Sequence, residues 1–202
     1  MKVKILNSFP KQTYNFDKVW FSSDFHLNHE AVIKFGRKFD SVEHMNDHIV
    51  VETNKLVREN DLLVLCGDTM MGDKNYEQFL GSLVCKNVIM LFGNHCNRGK
   101  LLGVAEKLIY VGDYIELNIE GQIICCSHFP MFNWNYQDDG SFHLHGHLHG
   151  DENSVIKEIH KYRSMDVGID SYYNMFGEYS LFSYEKVQEL LTDKLIIGRH
   201  EN

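Results

Sequence analysis

The apolar residues of this chain fall into short runs that stop abruptly, each at a polar residue of a particular kind. Lys18-Val19-Trp20-Phe21-Ser22-Ser23 is a β-favouring run that ends in Asp24-Phe25-His26. Leu62-Leu63-Val64-Leu65-Cys66 is a continuous apolar run of strand length that stops at Gly67-Asp68, and Lys86 to Phe92 repeats the design before Gly93-Asn94-His95. Continuous runs of this length predict strands buried on both faces. Asn75 to Leu83 between them has helical spacing, so the segment reads as strand, helix, strand with parallel pairing.

The remaining pattern is patchier. Asn28 to Phe35 predicts a short helix with Ala31, Val32 and Phe35 on one side. Asp40-Ser41-Val42-Glu43 has the make-up of a helix start, and Met45, Ile49, Leu56 and Val57 come after it at helical spacing. Lys100 to Leu108 is helical or irregular. Ile115, Leu117 and Ile119 alternate with polar residues, and Glu120-Gly121 turns the chain into Gln122 to Cys126 as a hairpin that ends at Ser127-His128. Ser164 to Asp170 predicts another strand, and Glu185 to Leu191 a closing amphipathic helix capped by Ser183.

Phe142 to Gly150 stands apart. His143, His145, His147 and His149 sit at alternate positions, and in an extended strand alternate side chains share a face. A row of neutral imidazoles makes a poor core and a good metal site, because each ring offers one lone pair and no competing charge. An exposed tract that meets metal by accident is the plainer alternative. An isolated Asp-x-His pair is equally weak, since such triplets arise by chance. The weight comes from recurrence: Asp24 and His26, Asp68, Asn94 and His95, His128, and His147 and His149 keep step with the strand ends.

Composition narrows the setting. The chain of 202 residues, 44% hydrophobic and 24% charged with two prolines, is expected to form one domain over 1–202. A formal charge of −8 argues against sequence-independent binding to duplex nucleic acid. Cys66, Cys85, Cys96, Cys125 and Cys126 form no disulfide framework or paired zinc motif, which points to a reducing compartment. Charge interrupts the first residues too early for a signal sequence and no apolar run reaches spanning length, so a cytoplasmic protein without membrane contact is expected. Oligomeric state is not legible in the chain.

Taken in order, Asp24-x-His26, Gly67-Asp68, Gly93-Asn94-His95, His128 and Gly146-His147-x-His149 resemble the signature of the calcineurin-like metallophosphoesterases, over about residues 18–150. The chain is similar to the small stand-alone members found in bacteria and their viruses. The resemblance implies a four-layer α/β/β/α sandwich of two mixed sheets flanked by helices. It implies that Asp24, His26 and His149 hold one metal, that Asn94, His128 and His147 hold a second, and that Asp68 bridges them. A carboxylate has two oxygens and can span two cations, whereas imidazole and an amide oxygen serve one each. The mixed donor set suits Mn, Fe, Zn, Ni or Co over Mg or Ca. The implied activity is phosphoester hydrolysis, a phosphodiester before a monoester, by a hydroxide shared between the metals. His95 would assist the leaving group as a non-ligand.

One position departs from the family: an acidic residue usually comes after Gly-Asn-His, and here Cys96 does, which puts the tuning of His95 in question. Arg37 is the expected phosphate-contacting cation, because guanidinium matches phosphate oxygens in pairs, with Asn28 and His29 at the same mouth. Phe129 to Trp134 could wall off a base. Nucleotides, cyclic nucleotides and RNA ends are the candidate substrates. The competing classes are a monoesterase on the same site, a non-catalytic metal-binding module of the same fold, and a thiol enzyme built on Cys96 beside His95 or Cys126 near His128.

Overall fold

The computed structural model describes residues 1–8, 11–71, 75–151 and 154–196. The three uninterrupted apolar runs become the centre of a five-stranded sheet. β3 (Val19–Ser22), β4 (Leu62–Leu65) and β5 (Asn87–Leu91) pair in parallel; β6 (Tyr110–Gly112) is parallel at one edge and β11 (Phe182–Ser183) antiparallel at the other. Every residue of β3 and β4 is buried, as a strand covered on both faces requires.

Alternation sorts these side chains between two cores. Val19, Phe21, Leu62, Val64, Ile89 and Leu91 face a second sheet. Trp20, Leu63, Leu65, Val88 and Met90 face helices α1 (Glu30–Lys34), α2 (Val42–Leu56), α3 (Tyr76–Ser82), α4 (Arg98–Leu102) and α6 (Ile169–Phe176). The helices are fixed by capping as well as by burial: Ser41 Oγ accepts from His44 N–H at 3.1 Å, and Asn75 Oδ1 from Gln78 N–H at 3.2 Å.

The second sheet has six strands, β1 (Lys2–Ile5), β2 (Gln12–Asn15), β7 (Tyr114–Ile119), β8 (Gln122–Ser127), β9 (Phe142–His145) and β10 (Ser164–Asp166). Its order is β10-β9-β8-β7-β1-β2, parallel across β10, β9 and β8 and antiparallel beyond. Glu120 and Gly121 form the β7–β8 turn with φ of 50° and 101°, the left-handed geometry of a two-residue hairpin. Cys125 on the outer face packs with Trp134 and with Ile156 and Ile159 of α5 (Ser154–His160). Helices, sheet, sheet and helix make the four layers. α7 (Tyr184–Leu191), capped by Ser183 Oγ from Lys186 N–H, adds Val187 and Leu191 to the core between the sheets. Each fully buried Leu, Ile or Phe in that layer contributes about 1.5–3 kcal/mol.

Two expectations need correction, and β1 and β2 were not expected. Both are short, β1 burying alternate residues and β2 largely exposed, and no apolar run marks them. The strand expected over Ser164 to Asp170 stops at Asp166: Asp166 Oδ1 accepts from Gly168 N–H, and the chain turns into α6 at Ile169. The histidine strand stops at His145, so the four imidazoles do not share a face. Among the described residues no helix is long and apolar enough to cross a membrane.

Candidate metal centre

The ends of β3, β4, β5 and β8 and the turn after β9 meet at one rim of the sandwich. The parallel ladder continues past β3 and β4: Asp24 N–H donates to Gly67 O at 3.1 Å and His26 N–H to Asp68 O at 2.9 Å. His147 N–H donates to Asp24 Oδ2 at 2.9 Å, tying the turn after β9 to the end of β3. Eight non-glycine residues among those described have positive φ, and five are Asp24, His26, Asp68, His147 and His149. Left-handed backbone costs of order 1–3 kcal/mol per residue and persists where surrounding structure enforces it, typically at functional sites. Here it turns each side chain off the strand direction and towards a common space.

All seven expected ligand residues reach that space. Asp24 Oδ1 lies 3.6 Å from His26 Nε2 and 3.8 Å from His149 Nε2. Asp68 Oδ2 lies 3.2 Å from His128 Nε2 and 3.9 Å from His26 Nε2. Asn94 Oδ1 is 2.9 Å from His128 Nε2 and 3.0 Å from His147 Nδ1. Two overlapping groups, Asp24 with His26 and His149 and Asp24 with Asp68 and His128, bring donor atoms close enough to hold metal ions. Asp24 is the shared member of these groups, while Asp68 Oδ2 sits between His26 and His128.

Two observations test the fit to a cation. Asp24 Oδ1 and His26 Nε2 are buried and have no hydrogen-bond partner, an expensive condition unless something else satisfies them. The imidazoles are also held from behind, which directs the opposite nitrogen inward. His128 Nδ1 is 3.0 Å from Cys66 O, His149 Nδ1 is 2.7 Å from Asp170 Oδ2, and His26 Nδ1 is 3.2 Å from His29 Nδ1. Outer partners of this kind fix ring orientation in metal sites. The packing leaves no room for an extra methyl: a Cβ on Gly93 would lie 2.1 Å from Asp68 Oδ1, and one on Gly146 1.9 Å from Ser23 Oγ.

The electrostatics also suit cations. Burial pushes the Asp24 carboxyl upward, but His26, His128 and His149 outweigh it and hold the group below the usual carboxylate range. Asp68, despite burial, is held low mainly by His128. Behind them the Asp166 carboxyl is pushed up to about 7 by burial and by Asp24, so a third acid crowds the same pocket.

The expected substrate contacts fare differently. Arg37 is not available to phosphate. Its side chain is buried, Nε donates to Asp170 Oδ1 at 2.9 Å and Nη2 to Asp170 Oδ2 at 2.7 Å, and the remaining N–H groups reach Phe25 O, Asp24 O and Met45 Sδ. Its five donors are all engaged. It instead locks Asp170 against His149 and the backbone that carries Asp24. Asn28 pairs reciprocally with Asn46, its N–H to Asn46 Oδ1 at 2.9 Å and its Oδ1 from Asn46 Nδ2 at 3.1 Å. His29 stands beside His26 and His95, at ring separations of 5.1 and 5.6 Å, and lines a cavity of about 550 Å³ that opens next to the centre.

His95 is exposed, with its ring 5.3 Å from His26; its backbone N–H donates to Asp68 Oδ1 at 2.8 Å. Cys96 Sγ accepts from Gly93 N–H at 3.3 Å, and burial pushes its thiol up. Cys126 lies in the inter-sheet core with its thiol raised well above the ordinary range, again by burial. Neither thiol sits in a setting that favours the thiolate. Trp134 is buried beneath the outer face, bonded to Ser141 Oγ at 3.0 Å and stacked on His143; Phe129 alone of that loop reaches the rim, 4.5 Å from the His147 ring. Asp170 and Asp166 brace the centre from behind, a role the sequence did not assign to them; the Asp-x-x-x-Asp spacing at the end of β10 is a local sign of the pair.

No family model matches the chain. The uncharacterized protein MJ1445 of Methanocaldococcus jannaschii is 28% identical over 157 residues, covering 76% of this chain and 82% of that protein. The Gene 66 protein of Mycobacterium phage L5 is 26% identical over 183 residues, covering 76% of this chain and 86% of that protein. Among solved structures, the protein of unknown function AQ665 from Aquifex aeolicus superposes with a TM-score of 0.66 at 19% identity, over 86% of this chain and 99% of that one, so the fold is shared. An archaeal phosphodiesterase superposes with a TM-score of only 0.44 at 15% identity, over 82% of this chain and 98% of that one, too loosely to bear on function.

Proposed function

We propose that the chain is a metal-dependent phosphoesterase of the calcineurin-like class, acting on a phosphodiester. The observation that carries this reading is the convergence of the buried, unpartnered Asp24 Oδ1 and His26 Nε2 with the inward nitrogens of His128 and His149. Asp24, His26 and His149 would hold one divalent cation and Asn94, His128 and His147 another, with Asp68 between. Cations bound there supply Lewis acidity toward phosphoryl oxygens and make water more acidic.

The chain's own groups orient and protonate. The His95 N–H holds Asp68 Oδ1 and so presents Oδ2 to His26 and His128. The exposed His95 imidazole, next to His26 and His29, would give a proton to the departing oxygen. Arg37, through Asp170, keeps His149 from turning. The lean to a diester rests on the resemblance to small stand-alone members of that class.

The test is hydrolysis of bis(p-nitrophenyl) phosphate and p-nitrophenyl phosphate by stripped protein, with Mn, Fe, Zn, Ni or Co restored one at a time. Diester turnover is expected with at least one metal. Absence of turnover with all five would reject the enzyme reading, and a monoester preference would reject the diester assignment.

A further inference from the structure

We propose that the cavity on the His95 side of the centre receives the departing half of the diester, and that this half is a nucleoside whose base lies between aromatic walls. The inference rests on the phosphoesterase reading, because His95 marks the side on which the leaving oxygen emerges. His29 and His95 form the inner end of the cavity. Its volume, about 550 Å³, falls within the range of small-molecule sites.

The walls are apolar and flat. Val32 and Phe35 come from the end of α1, and Tyr173 of α6 adds a half-buried ring backed by the buried Tyr179, on which it stacks with centroids 4.4 Å apart and planes inclined by 19°. Phe35 is 87% exposed although it ends a helix whose Val32 is buried. Gly36, with φ of 131°, turns the chain immediately after it and leaves the ring at the mouth rather than in the core. A ring face held in water beside a site is a platform for another ring, and stacking of a base on such a side chain is tolerant of base identity.

Arg37 and Asp170 in the cavity wall neutralise one another through two hydrogen bonds, so among the fixed charges of the lining Lys38 remains to meet a ligand. Asn174 contributes an amide to the same lining, suited to the polar edge of a base. A molecule with one flat apolar part and a polar edge is what these features fit together.

The experiment measures adenosine binding by saturation-transfer NMR and titration calorimetry with wild type, Phe35→Ala, Tyr173→Ala and Asp68→Asn, beside the KM for adenylyl-adenosine in metal-loaded protein. Transfer from Phe35 ring protons to the adenine is expected, with Kd and KM raised about tenfold in the first two variants, the size of one lost stacking contact. Asp68→Asn should keep adenosine affinity while losing turnover. Unchanged affinity in both aromatic variants would overturn the proposal. So would diester turnover without adenosine binding at millimolar concentration, which would leave the enzyme reading intact. Adenosine binding with no turnover under any metal would instead reject the enzyme reading and keep the cavity as a nucleoside site.

Discussion

His143 and His145 belong to β9, whereas His147 and His149 come two residues later and share none of its environment. The first pair is wholly buried on the outer face: His143 stacks on Trp134 and accepts Met131 N–H at Nε2, and His145 Nε2 meets His160 Nε2 at 2.9 Å. The second pair has left-handed backbone and turns towards Asp24 and Asn94. Identical residues at identical spacing thus do opposite jobs, structural on one side of Gly146 and ligand-like on the other. What separates them is where the strand stops, and Gly146 stops it by sitting against Ser23 and Asp24.

The sharpest way to break this contrast is to remove one histidine from each pair. His149→Ala or His147→Ala should lower kcat/KM by at least about 10³-fold and reduce bound metal, since losing a ligand exceeds the 10–100-fold cost of losing an outer partner. His143→Ala should keep the folded protein's kcat/KM within about threefold but cost roughly 2–4 kcal/mol in urea unfolding, from the cavity and the stranded N–H of Met131. Equal activity losses in the two kinds of variant would erase the distinction. Next in size, Asp170→Asn should weaken metal affinity about 10–100-fold, read by competition with a chelating dye, because His149 loses its anchor and Arg37 its partner.

Acidity should separate the pairs as well. Burial pushes the His143 imidazole down to about 4, so its contribution to stability is present above the unfolded value near 6.5 and is lost as pH falls towards 4. His149 has the opposite sign: although burial opposes it, Asp170 and Asp24 raise it above its ordinary value. Its contribution is present below the unfolded value and lost as pH rises through the folded one. In metal-free protein, His143→Gln should therefore remove stability loss on the acid side and His149→Gln on the neutral side, each by at most about 1.4 kcal/mol per pH unit. Unfolding midpoints across pH 4.5–8 would check both. The smallest effect belongs to Trp134→Phe, which gives up the bond to Ser141 Oγ and should cost about 1 kcal/mol without a change in turnover.

The candidate centre was legible in the sequence because the residues it gathers are local to strand ends. A run such as Leu62 to Cys66 announces its own end, and the residue after Gly67 is then conspicuous. The parallel β4-α3-β5 unit and the β7–β8 hairpin were readable for the same reason, since each is a pattern contained within roughly 30 residues. Arg37 misled because guanidinium chemistry says only that it will pair, and its partner Asp170 lies 133 residues away. The alternation of the histidines misled too: a period of two is a strand signal only while the strand lasts, and the Ser23 and Asp24 atoms that end it come from another sheet.

Five of the seven residues around the centre hang from backbone that ordinary strands and helices do not use. Transplanting this site into another scaffold therefore means moving loops, not letters. The same seven identities set on regular strands would aim in unrelated directions, and a search for such centres by backbone torsion would find them where a search by residue spacing alone returns rows like His143 and His145.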